Sequence, residues 1–169
     1  MQLGPIELPR LEQLTTITGG LDGDSARHIA EASWPALERM SLQLGRGHEG
    51  AVTDCAVFDP LLAGTRLPKL HALGLTNQEL GDELCVRLVT AKIVPQLREL
   101  DLGMSTMTDD GARTLHANAA RFQHLERLNV EQNYLTPAGV ELLQGVAKQV
   151  LAGEQRTAER GDRQALAYE

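Results

Sequence analysis

Apolar residues recur along this chain at a fixed interval, most plainly in VPQLRELDLGMSTMTDDGARTL (94–115) and FQHLERLNVEQNYLTPAGVELL (122–143). Aligning Leu97 with Leu125 places Leu100 on Leu128, Leu102 on Val130, Met107 on Leu135, Ala112 on Val140 and Leu115 on Leu143. Each copy opens with apolar residues in the order L-x-x-L-x-L. The last two are two apart, so they share one face of a short strand while Glu99, Asp101 or Arg127, Asn129 point to the other. The later apolar positions fall at helical spacing, which predicts a helix returning behind the strand.

Searching outward finds three more copies. The anchors of all five copies are Leu11, Leu37, Leu70, Leu97 and Leu125, separated by 26, 33, 27 and 28 residues. Three residues before each anchor stands another apolar residue, in turn Leu8, Trp34, Leu67, Val94 and Phe122, and Pro9, Pro35, Pro68 and Pro95 follow the first four. The first copy has Thr16 where an aliphatic residue is expected, then Asp22 or Asp24 as a helix cap and Ala26, Ile29 and Ala30 as an inner helical face. The second copy is interrupted at GRGHEG, where Gly45, Gly47 and Gly50 predict an extra loop. Its helical phase resumes at Val52, with Thr53 or Asp54 as cap and Val57, Leu61 and Leu62 inward. The third is regular, with Leu70, Leu73, Leu75, Leu80, Leu84 and Leu88 in place. Val150 and Leu151 offer a short sixth strand. The boundaries expected are a repeat domain over 1–152 and a polar tail over 153–169, either disordered or folded back through Ala165 to Tyr168 as a cap.

L-x-x-L-x-L followed by a helical return is the signature of a leucine-rich repeat. The fold class expected is α/β, a right-handed solenoid of about five repeats shaped as a horseshoe arc. Strands pair at about 4.8 Å and helices at about 8 to 10 Å, so the stack must bend with parallel strands on its concave face and helices on its convex face. Units of this length resemble the ribonuclease-inhibitor-like class over Leu8 to about Ala147. WPALERMSLQLG, LPKLHALGLTNQEL, LRELDLGMSTMTDDGA and LERLNVEQNYLT also resemble the carboxyl-terminal half of a family of uncharacterised bacterial cytoplasmic leucine-rich repeat proteins. That resemblance implies no particular activity. It does imply a piece of a longer array, since nothing before Leu8 reads as a polar cap. The resemblance also calls for Asn after each strand. Asn133 matches, while Gly19, Gly45, Gln78 and Ser105 stand at the other positions, so looser turns are expected.

The formal net charge of -7 argues against a nucleic-acid backbone as ligand, which needs a basic footprint. No apolar run is long enough to span a membrane and MQLGPIELPR does not read as a signal peptide, so a cytoplasmic location is expected. Two cysteines, Cys55 and Cys85, are too few for a disulfide framework. Cys85 aligns with Ala112 and Val140, hence with the core.

Geometry selects the concave-face residues: Gln13, Thr15, Ile17; Arg39, Ser41, Gln43; Ala72, Gly74, Thr76; Glu99, Asp101, Gly103; Arg127, Asn129, Glu131. Solenoids commonly bind through such a face. Partner contacts are expected at Arg39, Ser41, Gln43, Thr76, Glu99, Asp101, Arg127, Asn129 and Glu131, with Glu99, Asp101 and Glu131 suited to a protein with a basic surface. The Gly45–Gly50 loop is the other candidate. A non-catalytic interaction module is therefore the first expectation, without cofactor, metal, nucleic acid or membrane, and with end-to-end self-association through uncapped ends. The second is a structural or regulatory segment of a larger multidomain protein. A third, a hydrolase built on His48, Glu49 and Asp54, lacks a recognised ligand spacing. Asp109 and Asp110 read as helix N-terminal carboxylates, and Gly81, Gly111 and Gly139 as points of close packing.

Overall fold

The computed structural model describes residues 8–47, 50–157 and 163–165. Six strands, β1 (Gln13–Thr16), β2 (Arg39–Gln43), β3 (Ala72–Thr76), β4 (Glu99–Asp101), β5 (Arg127–Asn129) and β6 (Gln149–Leu151), form one open sheet in chain order, and every neighbouring pair is parallel. Helices alternate with them: α1 (Gly23–Glu31), α2 (Asp59–Leu62), α3 (Gly81–Thr90), α4 (Asp109–Ala117) and α5 (Pro137–Leu142). The short sixth strand anticipated at Val150 and Leu151 is present.

The register is the periodicity made physical. Leu14, Met40, Leu73, Leu100, Leu128 and Val150 are successive partners across the sheet. Met40, Leu73, Leu100 and Leu128 are buried in one core with Leu84, Cys85, Leu88, Leu115 and Leu143 from the helical side. The column before the anchors is buried at Trp34, Leu67, Val94 and Phe122 but not at Leu8, which is 42% exposed. Leu8 precedes the edge strand, whose outer side pairs with no strand among the described residues. For the same reason Leu11 and Leu14 are only half-buried.

Capping follows local chemistry. Asp22 starts α1 by accepting a hydrogen bond from the Ser25 N–H at 2.9 Å, and Asp54 starts a 3-10 turn, Cys55–Phe58, that leads into α2. Pro60 sits in the first turn of that short helix, where its missing N–H is tolerated, and Gly64 with φ of 72° follows its end. The extra loop begins at Gly45, whose φ of +81° lets it pass Gly19 where a Cβ would lie 1.8 Å from the Gly19 carbonyl oxygen. The Leu21 N–H donates to the Leu44 carbonyl and the Val52 N–H to the Leu21 carbonyl, tying both ends of the loop to the turn before α1.

The turns leaving the strands repeat as well. Asn77, Met104, Gln132 and Glu154 all adopt left-handed dihedrals, with φ of 51°, 59°, 56° and 52°, at the same offset from the register file. The next residue in each case is polar and mostly turned inward. The Asn133 side-chain oxygen accepts from the Met107 N–H and its amide donates to the Leu102 carbonyl, both at 2.9 Å. Gln155 does the same one strand on, to Leu135 and Val130, and the Ser105 hydroxyl accepts from the Gln78 N–H. The strict asparagine pattern is absent, yet a mixed ladder of Ser, Asn and Gln holds these turns to one another. The ladder runs through Ser105, Asn133 and Gln155, while Gly19 and Gly45 bring no side chain to it.

Leu100 is 1% exposed at the centre of the register file. Leu100→Asp is expected to cost on the order of 3 kcal/mol or more, because an unpaired carboxylate would be buried. Denaturant melts of variant and parent check this; superimposable curves would place Leu100 outside the core.

Candidate functional site

The face of the sheet opposite the helices carries rows of side chains set by the same register. One row runs Gln13, Arg39, Ala72, Glu99, Arg127, Gln149, and the next Thr15, Ser41, Gly74, Asp101, Asn129, Leu151. β3 contributes only small residues, Ala72 and Gly74, between longer ones on β2 and β4. The result is a hollow of about 410 Å³ floored by β3 and walled by Arg39, Glu99, Asp101 and Arg127.

Glu99 stands in the middle of the polar row and is shared. Arg39 Nη2 lies 2.9 Å from its Oε2, reaching across Ala72, and Arg127 meets the same oxygen from the other side. The small side chain at Ala72 is what leaves room for the first contact. The hydrogen bond from Arg39 holds the Glu99 carboxyl below its ordinary range, against a smaller opposing effect of burial, with Arg127 adding to the depression. Asp101 accepts a hydrogen bond from the Gly103 N–H at 2.9 Å and Asn129 one from the Glu131 N–H at 3.0 Å. Both shape the turns beyond the strands as well as lining the face.

Of the residues predicted for partner contact, Arg39, Ser41, Glu99, Asp101, Arg127 and Asn129 are brought together around the hollow. Glu131 follows β5 and is half-buried. Gln43 and Thr76, expected on the accessible face, are instead buried at 7% and 3% exposure, so neither offers contact area. The three carboxylates expected to act together are also not equivalent, because two arginines already neutralise Glu99. His48 and Glu49, and with them the hydrolase reading, lie outside the described residues. Among the described residues no group of three or more His, Cys, Asp and Glu is placed to hold a metal. Two of the histidines bridge neighbouring segments: His116 Nδ1 is 2.7 Å from the Leu142 carbonyl and His124 Nε2 is 3.0 Å from that of Val94.

The helix starts show a device that sequence reasoning missed. Asp82 accepts from the Thr108 N–H and hydroxyl and from the Gly111 N–H, at 2.8, 2.8 and 3.0 Å. Asp109 accepts from the Thr136 N–H and hydroxyl at 2.9 and 2.7 Å. Each carboxylate thus caps the next helix rather than its own. The signal was present, since Asp82 and Asp109 are 27 residues apart, the spacing of Leu73 and Leu100. The glycines permit the approach: a Cβ at Gly139 would stand 2.0 Å from Asp109 Oδ1, and one at Gly81 2.2 Å from the Met107 nitrogen. Pro137 occupies the following position and carries no carboxylate.

Comparison with solved structures finds a strong structural likeness. A crystal structure of a Bacteroides fragilis protein, a structural-genomics target, superposes with a TM-score of 0.79 at 30% identity over 86% of this chain. The chain spans 43% of that protein's length. No family model matches the sequence, and no curated protein does. No helix among the described residues is long and apolar enough to cross a membrane.

The depressed Glu99 carboxyl contributes stability that is fully present above the unfolded-state value of about 4.3. That contribution is lost as pH falls through the lower folded-state value. Glu99→Gln should cost about 0.5 to 1 kcal/mol at neutral pH, since these partly exposed pairs are screened by solvent and salt. Melts repeated at falling pH should bring variant and parent together below about 4.3. Burial pushes the Cys55 thiol up to about 12, with the Glu83 carboxylate adding to the rise, and burial likewise raises Cys85. Neither thiolate forms at neutral pH, so a thiol reagent should label both cysteines only at the rate of global unfolding. Rapid labelling of the folded chain would contradict their placement.

Proposed function

We propose that this chain is part of a leucine-rich repeat solenoid of the ribonuclease-inhibitor-like class, acting as a non-catalytic protein-interaction module. The in-register file of aliphatic residues and the recurring left-handed turns support the repeat reading. The difference between strand and helix spacing supports an arc with the sheet inside. The observation that carries the binding reading is the hollow over Ala72 and Gly74. A concave site with a few convergent polar groups is the usual form of a recognition surface, and here it lies on the face that solenoids present to partners.

The charge pattern favours a protein partner with a basic patch. Arg39, Glu99 and Arg127 already satisfy one another, which leaves Asp101 and Glu131 as the carboxylates without a salt bridge among the described residues of this face. A basic side chain seated beside Asp101 would find its charge unopposed. This reading prefers the sheet face to the Gly45–Gly50 loop, whose described ends are tied by backbone hydrogen bonds to Leu21 and Gly19. The second reading, a structural or regulatory segment of a larger protein, is favoured by one observation: the structural neighbour is more than twice the length of the matching portion. End-to-end association belongs to the same reading, because the outer edge of β1 leaves Leu11 and Leu14 half-uncovered.

Asp101→Lys combined with Glu131→Lys should weaken binding at least tenfold to a partner recovered by affinity capture from the native cell. Gly74→Leu, which fills the hollow between Ser41 and Asp101 without altering any charge, should do the same. Isothermal titration against the recovered partner checks both. Unchanged affinity in the two variants, with melting intact, would move the interface off the sheet.

A further inference from the structure

The carboxyl-terminal residues do more than close the last strand. Gln155 bonds the Ala152 carbonyl of the turn after β6 and reaches Leu135 and Val130 of the preceding unit. Arg156, next in the chain, reaches back to the turns after β4 and β5. The Arg156 N–H donates to the Asn133 carbonyl at 2.7 Å. Its guanidinium donates through Nε to Gln132 at 2.8 Å and through Nη2 to Ser105 at 2.5 Å, both carbonyl oxygens. The same plane lies 4.4 Å from the centroid of the Tyr134 ring. A second anchor follows at Gln164 and Ala165. Gln164 exchanges hydrogen bonds with the Tyr134 hydroxyl, and its carbonyl accepts from Arg156 Nη1 at 2.8 Å. Ala165 is 2% exposed, and its carbonyl accepts from Arg46 Nε at 3.2 Å. The contacts therefore reach turns 51 and 119 residues back in the chain.

Every feature that receives this segment belongs to the body of the sheet: the Ser105, Gln132 and Asn133 carbonyls, the Tyr134 ring and hydroxyl, and Arg46. We propose that the turns at the carboxyl ends of β2, β4 and β5 form a groove for an extended, arginine-bearing peptide segment of a partner protein. Arg156, Gln164 and Ala165 of this chain occupy these turns in cis. The slot is specific to arginine, because divergent carbonyls beside an aromatic face match a planar fork of donors and not a compact ammonium. The position of Ala165 adds a requirement for a small apolar residue further along. Tethering gives the tail an effective concentration in the millimolar range, so a segment in trans enters only when an anchor is released. This groove is separate from the sheet face and does not depend on it.

The test uses the full chain and a fluorescently labelled synthetic peptide of residues 154–169. By anisotropy, the chain carrying Arg156→Ala should bind the peptide at least tenfold more tightly than the native chain. A peptide with lysine at the Arg156 position should lose at least tenfold on that same variant chain. Adding Tyr134→Leu to the receptor should abolish binding. If Arg156→Ala does not fold by circular dichroism, Arg156→Lys, which keeps the charge but does not match the slot, should show the same gain. Equal binding to native and released chains, absence of binding up to millimolar peptide, or indifference to lysine in place of arginine would each overturn the proposal. Self-association of the native chain, with the tail of one copy crosslinked beside Arg46 of another, would overturn the assignment to a separate partner.

Discussion

The structure depends on in-register parallel pairing of very short strands. Three residues, Glu99 to Asp101, are too few to form a stable strand alone, and α5 spans only six. Each gains its place because the middle residue of the strand, Leu100 or Leu128, is covered by its counterparts on both sides. A slip of one residue would send every leucine to the solvent face and every charge into the core, so one register is strongly preferred over its neighbours. The half-buried state of Leu14 and Val150 at the two edges is the same rule seen where it runs out.

Polar side chains do the work between neighbouring units that leucines do within the core. Asn133, Ser105 and Gln155 tie the turns after the strands, and Asp82 and Asp109 tie the starts of the helices. Both sets use hydroxyl, amide or carboxylate groups to satisfy N–H and carbonyl groups that the short elements leave unpaired. Because each bond reaches the next unit, their loss would loosen the stack and not only one turn. The glycines at 81, 111 and 139 belong to this scheme, since they allow backbone and carboxylate to approach where a Cβ would collide.

The same register that buries the leucines decides which surfaces remain for recognition. On the sheet face, Ala72 and Gly74 lower the floor of one strand, and Arg39 can reach Glu99 across it. At the carboxyl ends of the strands, the left-handed turns present carbonyls that the tail reads through Arg156. Two surfaces of different chemistry thus arise from one architecture, one lined by opposed charges and the other by backbone acceptors and an aromatic ring.

Much of this was legible in the sequence because a periodic core is a local signal repeated. The spacing of Leu73, Leu100 and Leu128 predicted their alignment, the alternation of Glu99 and Asp101 with leucines predicted the exposed face, and caps were expected at Asp22 or Asp24 and at Thr53 or Asp54, of which the structure uses Asp22 and Asp54. What the spacing could not express was contact across the stack. Burial of Gln43 and Thr76, neutralisation of Glu99 by arginines 60 residues before it and 28 after it, and the return of Arg156 to Ser105 all depend on distances between side chains far apart in the chain. Periodicity fixes which face a residue takes, since that follows from two dihedrals and a repeat; which neighbour it meets there depends on how strands of unequal side-chain size pack together, and only the assembled sheet determines that.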